Sequence, residues 1–238
     1  MKLALIGYGA MGHLVEARAL EEGHDIAVIL RASDAARDVE VLAGLLRGVA
    51  AAIDFSVGDA VPKNAAACAL AGVPLVEGAT GWSGRKDEVL RVIQEHDGAL
   101  VYGANFSLGV NVFYRIVVQA AGLLRTVEGY APFIEEAHHL RKRDAPSGTA
   151  LRLQELMNEQ LRGEIPISST RAGYIPGTHR VGFDSAADQI TLTHTARSRE
   201  GFAAGALLAS RWIAGRKGVF EFTEVIDEIL RREVISDE

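Results

Sequence analysis

The first twelve residues constrain the fold more than any other stretch of the chain. Lys2-Leu3-Ala4-Leu5-Ile6 is a short apolar run, followed at once by Gly7-Tyr8-Gly9-Ala10-Met11-Gly12 and then by helical periodicity through Leu14, Val15 and Leu20. The order is strand, glycine turn, helix. In a dinucleotide-binding turn the first glycine makes the tight bend, the second lets backbone approach a pyrophosphate, and the third lets the helix pack closely on the strand. A glycine turn without a ligand has the same letters. Its place directly after a first strand and before a helix is what favours a nucleotide.

Downstream, helix and strand signals alternate. Asp38 to Leu46, Ala60 to Ala71 and Lys86 to His96 read as helices, and Ala50 to Ser56, Val73 to Glu77 and Gly98 to Gly103 read as strands. Such alternation predicts a parallel sheet covered by helices, with its binding crevice at the carboxyl ends of the strands. The polar segments Asp54 to Ser56, Gly78 to Gly81 and Gly103 to Ser107 fall at those ends. From Leu108 the character changes. A long helix to Val127 precedes a strand from Tyr130 to Ala137, then a helix opened by Pro146, then three alternating segments, Ile165 to Arg171, Thr178 to Phe183 and Gln189 to Ala196, expected to be antiparallel. Gly201 to Ile213 is helical again, and the tail from about Ala214 can return to the first sheet. The fold class expected is therefore α/β: a Rossmann-like parallel-sheet domain from residues 1–106 and 214–238, plus a second α+β domain with a mixed sheet from residues 107–213.

Composition excludes several function classes. With 238 residues, 48% hydrophobic and 24% charged, the chain can bury one large core or two smaller ones. No apolar run approaches the roughly 18 residues that span a bilayer, and Met1-Lys2-Leu3 enters a strand without a signal-peptide layout, so no membrane partner and a cytoplasmic location are expected. Cys68 is the sole cysteine, which rules out an internal disulfide or a cysteine metal cluster. A net charge of −6 and a pI near 5.7 argue against nucleic acid.

Between the two nicotinamide coenzymes, the second strand is informative. His24 to Leu30 forms it, and an acid that binds a ribose 2′-hydroxyl is expected about 20 residues past the glycines. The residues found there are Leu30, Arg31, Ala32 and Ser33. A guanidinium without a carboxylate suits a 2′-phosphate, which leans the reading towards NADPH over NADH.

The span Glu135 to Ala150 concentrates chemistry. His138 and His139 can move protons near neutral pH, Lys142 can hold an anion or donate a proton, and Pro146-Ser147-Gly148-Thr149 begins a helix whose first N–H groups favour an anion. Singly, each is ordinary: a surface histidine pair, a solvated basic run Arg141-Lys142-Arg143, a common helix start. Together they describe a site for a small, multiply anionic molecule that changes protonation.

These residues carry a resemblance to the 4-hydroxy-tetrahydrodipicolinate reductase (dihydrodipicolinate reductase) family over nearly the whole length. The most specific part is the signature E-A-H-H-x-x-K-x-D-A-P-S-G-T-A, matched from Glu136 to Ala150. The glycine turn, Asp54-Phe55-Ser56, Asn105 to Asn111, the R-x-G-x-x-x-G-x-H run ending at His179 and Arg199 to Ala206 also match. The resemblance implies a nicotinamide-dependent reduction of a dicarboxylate substrate in diaminopimelate and lysine biosynthesis by a homotetramer. It implies His138 as acid/base, Lys142 as proton donor, and His139, Gly148 and Thr149 as substrate contacts. Cofactor contacts would be Gly7, Tyr8, Gly9, Ala10, Met11, Gly12, Gly78, Ala79, Thr80, Gly103, Ala104, Asn105 and Phe106, joined by Arg31 from the strand reading above. His13 stands where the family has arginine, Ala79 departs from its G-T-T-G loop, and no acid precedes Arg31. All three touch the cofactor.

Two other classes compete. A metal-dependent hydrolase could use His138, His139, Asp144, His179 or His194, although the chain has neither HxH nor HExxH spacing and no metal is expected. A nucleotide-sensing module could keep the fold without the chemistry, against which His138 and Lys142 argue.

Overall fold

The computed structural model describes residues 1–236, with side chains described to Arg231. Contacts divide it into two compact units, Met1–Leu108 with Arg199–Glu238, and Gly109–Ser198.

The first unit holds a six-stranded parallel sheet. Its strands are β1 (Lys2–Ile6), β2 (Asp25–Leu30), β3 (Ala51–Asp54), β4 (Leu75–Glu77), β5 (Ala99–Tyr102) and β10 (Gly218–Glu221), in the order β10-β5-β4-β3-β1-β2. The inner strands are apolar on successive residues because both faces are covered. On one face, Leu3, Leu5, Ile53, Val76 and Val101 pack against α1 (Ala10–Glu21), α7 (Glu200–Ile213) and α8 (Phe222–Ser236). On the other, Ala4, Ala52, Leu75 and Leu100 pack against α2 (Val39–Leu46), α3 (Val61–Ala71) and α4 (Lys86–Glu95). Short 3₁₀ turns precede α2, α3 and α4.

The helix α7 was expected in the second domain. It lies instead on α1 and on strands β3 to β5, so the first unit resumes at Arg199 and not near Ala214. The reason is steric. A Cβ on Gly205 would sit 1.8 Å from the Phe106 carbonyl oxygen, and only glycine allows α7 this close to the chain leaving β5. The tail behaves as expected, since β10 adds to the edge at β5.

The second unit has α5 (Leu108–Leu124, whose first residue closes the first unit), β6 (Ala131–His138), α6 (Gly148–Asn158), β7 (Ile167–Arg171), β8 (Thr178–Asp184) and β9 (Gln189–Thr195). Its sheet is mixed, in the order β7-β6-β8-β9. The expectation of three antiparallel segments fails for β7, which runs parallel to β6 after α6 crosses between them. A strand-helix-strand connection returns the chain in the same direction. Val110, Phe113, Val117, Ile134, Leu153, Met157, Val181 and Phe183 make this unit's core. No helix among the described residues is long and apolar enough to cross a membrane.

Candidate active site

In β6, side chains two apart share a face, and Ile134, Glu136 and His138 point the same way. Ile134 is in the core, so Glu136 is carried inward behind it and is only 3% exposed. A buried carboxylate must be bonded on all sides. Arg171, at the end of β7, grips it with two parallel bonds, Nη1 to Oε2 at 2.8 Å and Nη2 to Oε1 at 2.7 Å. His138 Nδ1 lies 2.5 Å from Oε2, and the Ser147 N–H donates to Oε1 at 3.2 Å. Burial pushes this carboxyl up, but hydrogen bonds from Arg171, Ser169 and His138 outweigh it and hold it down to about 2. Glu136 is therefore a fixed anion.

The same anion orients His138. With Nδ1–H held by Glu136, the other nitrogen, Nε2, is left for chemistry. Gly177 sits over that edge, where a Cβ would come within 3.2 Å of Nε2 and Cδ2. Burial lowers the His138 pKa, Glu136 opposes this, and the Lys142 and Arg171 cations reinforce it. His179 stacks edge-on at 5.1 Å between ring centroids, and burial, reinforced by His138, brings it down to about 4. His179 is thus neutral at neutral pH, and the shift at His138 also favours its neutral ring.

Pro146 does not open the helix as expected. The helix α6 starts at Gly148, and Ser147 is its N-cap, its Oγ accepting from the Ala150 N–H at 3.2 Å while lying 3.0 Å from His179 Nε2. Nothing lies within 4 Å of where a Cβ on Gly148 would stand, so this helix start faces open space. Thr149 bonds the Tyr114 hydroxyl. Lys142 Nζ is held 2.9 Å from Asp144 Oδ2, which lowers the Asp144 carboxyl. His139 Nδ1 is shielded and finds no hydrogen-bond partner among the described residues. His138, Lys142, Gly148 and Thr149 therefore belong to one unit, and the metal reading loses its geometry: His179 Nε2 is committed to Ser147, and no three His, Cys, Asp or Glu side chains among the described residues are grouped to hold an ion.

Sequence reasoning gave no role to Glu136, Arg171 or Gly177. The alternation in β6 was the available signal, since it puts Glu136 in register with Ile134 on the inward face. Nothing local could pair it with Arg171, which is 35 residues away.

The turn after β1 fits a diphosphate. Gly7 has φ +83°, and a Cβ there would stand 2.7 Å from the Ser56 backbone. A Cβ on Gly12 would press on the Gly7 carbonyl at 2.5 Å, whereas Gly9, the uncapped start of α1, has nothing within 4 Å of its Cβ position. This is a crowded turn with one open side. The Arg31 guanidinium lies 4.2 Å from the Tyr8 ring centroid, Tyr8 donates to Glu16, and the His13 ring packs 4.0 Å from that of Tyr8. Ala10 and Met11 are the first two residues of α1. Asp34 corrects the reading of the strand end: its Oδ2 accepts from the Arg31 N–H at 2.9 Å, and its Oδ1 lies 2.8 Å from Arg37 Nε. A carboxylate does stand beside Arg31, delivered by the 3₁₀ turn that follows the strand. Ala79 spends its N–H on Glu77 and its carbonyl on Trp82, and Gly78 is pressed against the Phe55 ring, leaving exposed Thr80 as the open part of that loop. Gly103 and Ala104 lead into Asn105, whose Oδ1 accepts from the Ser107 N–H at 2.8 Å, while the Phe106 ring is core, 4.5 Å from that of Phe222.

Comparison with known proteins identifies the family. Residues 1–106 match the family model for dihydrodipicolinate reductase, N-terminus, and residues 109–226 the model for its C-terminus. The 4-hydroxy-tetrahydrodipicolinate reductase of Christiangramia forsetii is 37% identical, over 97% of this chain and 100% of its own. That of Archaeoglobus fulgidus is 35% identical over 90% of this chain and 94% of its own. A dipicolinate-bound dihydrodipicolinate reductase from a Paenisporosarcina species shares the fold with a TM-score of 0.75 at 18% identity, covering 93% of this chain and 97% of that one. With both halves matched in order and full-length relatives of this identity, the chain belongs to the dihydrodipicolinate reductase family.

Proposed function

We propose that this chain performs the reaction of its family, the NAD(P)H-dependent reduction of 4-hydroxy-tetrahydrodipicolinate in diaminopimelate and lysine biosynthesis, with His138 as acid/base and Lys142 as proton donor. The observation that carries the assignment is the Arg171-Glu136-His138 chain, which fixes one ring nitrogen and frees the other. The glycine turn, Arg31 and the loops at Gly78 and Gly103 would hold the coenzyme. When bound, a nicotinamide nucleotide supplies hydride.

The chain's own residues must then manage charge. Reducing the conjugated imine leaves negative charge that a proton neutralises. Burial and the neighbouring cations lower the His138 pKa, which favours its neutral ring and points to Lys142 as the resting proton source. The Lys142 ammonium, steadied by Asp144, can donate its proton to the reduced substrate, directly or by way of His138 Nε2, with Glu136 compensating the transient imidazolium. The first turn of α6, with Gly148 and Thr149, offers N–H groups and a positive helix end to a substrate carboxylate. His139 completes the proposed contacts. The deciding test is oxidation of NADPH and of NADH with substrate generated in place from pyruvate and aspartate semialdehyde. No turnover with either, in folded protein, would leave the nucleotide-sensing reading in its place.

Two further results are expected. A planar aromatic dicarboxylate should inhibit competitively, and Thr149→Val should weaken its binding. Calorimetry showing no binding with coenzyme present would refute the substrate class. Coenzyme preference should be small, because the Arg31 guanidinium attracts a 2′-phosphate while the Asp34 carboxylate, bonded to the Arg31 backbone N–H, adds negative charge at the same strand end. NADPH should bind more tightly than NADH by less than about tenfold at low salt, equivalent to about 1.4 kcal/mol, and Arg31→Ala should abolish the difference. Tighter NADH binding by the unmodified chain would overturn this role for Arg31.

We further propose a cytoplasmic homotetramer. The reading is supported by β9, an edge strand that leaves Ile190 41% exposed, on a sheet whose opposite edge strand β7 is also largely exposed. Light scattering would measure the mass.

A further inference from the structure

Two buried carboxylates in the first unit take no part in the proposed proton chemistry. Asp54 ends β3, Glu77 ends β4, and the two are register partners in the parallel sheet, both 0% exposed. Neighbours in register project to one face, here that of Ala52 and Leu75. Neither forms an ion pair among the described residues. Two such acids side by side cannot both ionise.

The hydrogen bonds decide where the proton sits. Asp54 receives donors on both oxygens: the Ser56 N–H on Oδ1 at 2.7 Å and Asn64 Nδ2 on Oδ2 at 2.7 Å. The same Asn64 nitrogen also reaches Ser56 Oγ at 3.2 Å, which uses its second hydrogen. Glu77 accepts only on Oε1, from the Ala79 N–H at 2.7 Å. Its Oε2 is shielded from solvent with no donor directed at it. An oxygen in that position is satisfied by carrying a proton and giving it to the neighbouring carboxylate.

We propose that Asp54 and Glu77 share a single proton, held on Glu77 Oε2 and donated to the Asp54 carboxylate, and that this pair positions the cofactor-facing turns at residues 54–56 and 77–80. Burial first, then the Asp54 charge, pushes Glu77 well above the usual carboxylate range. Asp54 is also raised by burial, against hydrogen bonds from Ser56, Asn64 and Glu77. The other titratable groups nearby are the Cys68 thiol on α3, pushed up by burial and by both acids, and Tyr102, in register with Glu77 on β5. The Tyr102 hydroxyl is taken by Glu221 at 2.7 Å, with Lys86 over its ring.

The pair lies beneath turns that have no room to move independently. Besides the contact of Gly7 with Ser56, a Cβ on Gly78 would stand 2.3 Å from the Phe55 ring, and one on Gly58 would stand 2.7 Å from the Thr80 carbonyl. Fixing the Ser56 and Ala79 N–H groups from below therefore fixes all three turns. The positioning role rests on the cofactor reading of these turns, whereas the shared proton does not.

The substitutions should act unequally. Glu77→Gln keeps an acceptor for Ala79 and a donor for Asp54, so NAD(P)H affinity by calorimetry should stay within about twofold. Asp54→Asn turns one acceptor into a donor facing Asn64 or Ser56, and affinity should fall at least about tenfold. Infrared difference spectra between the unmodified protein and Glu77→Gln at neutral pH should show one protonated-carboxyl band, lost in the variant. Folded-state stability should also decline in the unmodified protein as pH rises above the usual carboxylate range, because Glu77 ionises only on unfolding. Glu77→Gln should remove that decline. Absence of the band, or Glu77→Gln as damaging as Asp54→Asn, overturns the shared proton. A band present in a protein that binds no NAD(P)H overturns the positioning role alone.

Discussion

Purified His138→Gln and Lys142→Ala proteins should each turn over at least about a hundredfold more slowly than the unmodified chain, the usual worth of a positioned proton-transfer group. Their NAD(P)H affinity should be unchanged, because neither residue lies in the unit that holds the glycine turn. The two variants test different things. A glutamine at 138 can still donate from its amide towards Glu136, so the buried anion stays bonded and only titration is lost. Alanine at 142 removes the donor and frees Asp144, whose side chain is 58% exposed, so little stability goes with it. Turnover near that of the unmodified chain in either variant would take that residue out of the reaction.

Arg171→Ala should be the most destabilising single change at the site. It leaves the Glu136 carboxylate buried without its bidentate partner, and breaking a buried pair from one side costs about 3–5 kcal/mol. Urea unfolding would read this directly, and Arg171→Met combined with Glu136→Leu, which removes both charges, should recover much of the loss. The pH dependence carries the same signature. Glu136 is depressed from 4.5 to about 2 on folding, so it contributes stability that is full above 4.5 and lost as pH falls towards 2. Over that window the contribution is about 3 kcal/mol. His179 is depressed from 6.5 to about 4, so its contribution is likewise full above 6.5 and lost as pH falls towards 4. Acid destabilisation should therefore begin below about pH 6.5, before the carboxylates titrate. In Arg171→Ala the lower part of that decline should flatten. An unchanged profile would show that Glu136 is not held by Arg171.

What the sequence revealed follows the range of the interactions involved. The strand-turn-helix at Lys2 to Leu20 was legible because its signals are local, and the second sheet was expected to be mixed although the strand that makes it so was not identified. The placement of α7 was not, since it depends on Gly205 meeting Phe106, a contact across 99 residues that no periodicity reports. The direction of β7 was missed because alternation is the same in parallel and antiparallel strands when one face is open. At the site, His138 and Lys142 stood out by residue type, while Glu136 and Arg171 became a pair only through the β6-β7 register. Asp34 escaped notice because a 3₁₀ turn brings it back to Arg31, four letters beyond the strand.

The second unit is inserted between Leu108 and Arg199 of the first, and this sets an order of events during synthesis. When residue 108 leaves the ribosome, strands β1 to β5 exist, but the helices α7 and α8 that cover Leu3, Leu5, Ile53, Val76 and Val101 do not. The edge at β5 also waits for β10. With only α1 on that face, the nascent sheet leaves apolar surface uncovered until α7 and α8 are made, whereas the inserted unit is contiguous and can complete its core first. Chaperone demand in this architecture thus falls on the N-terminal half, and a chain truncated anywhere before Gly218 strands an incomplete sheet instead of a smaller working domain.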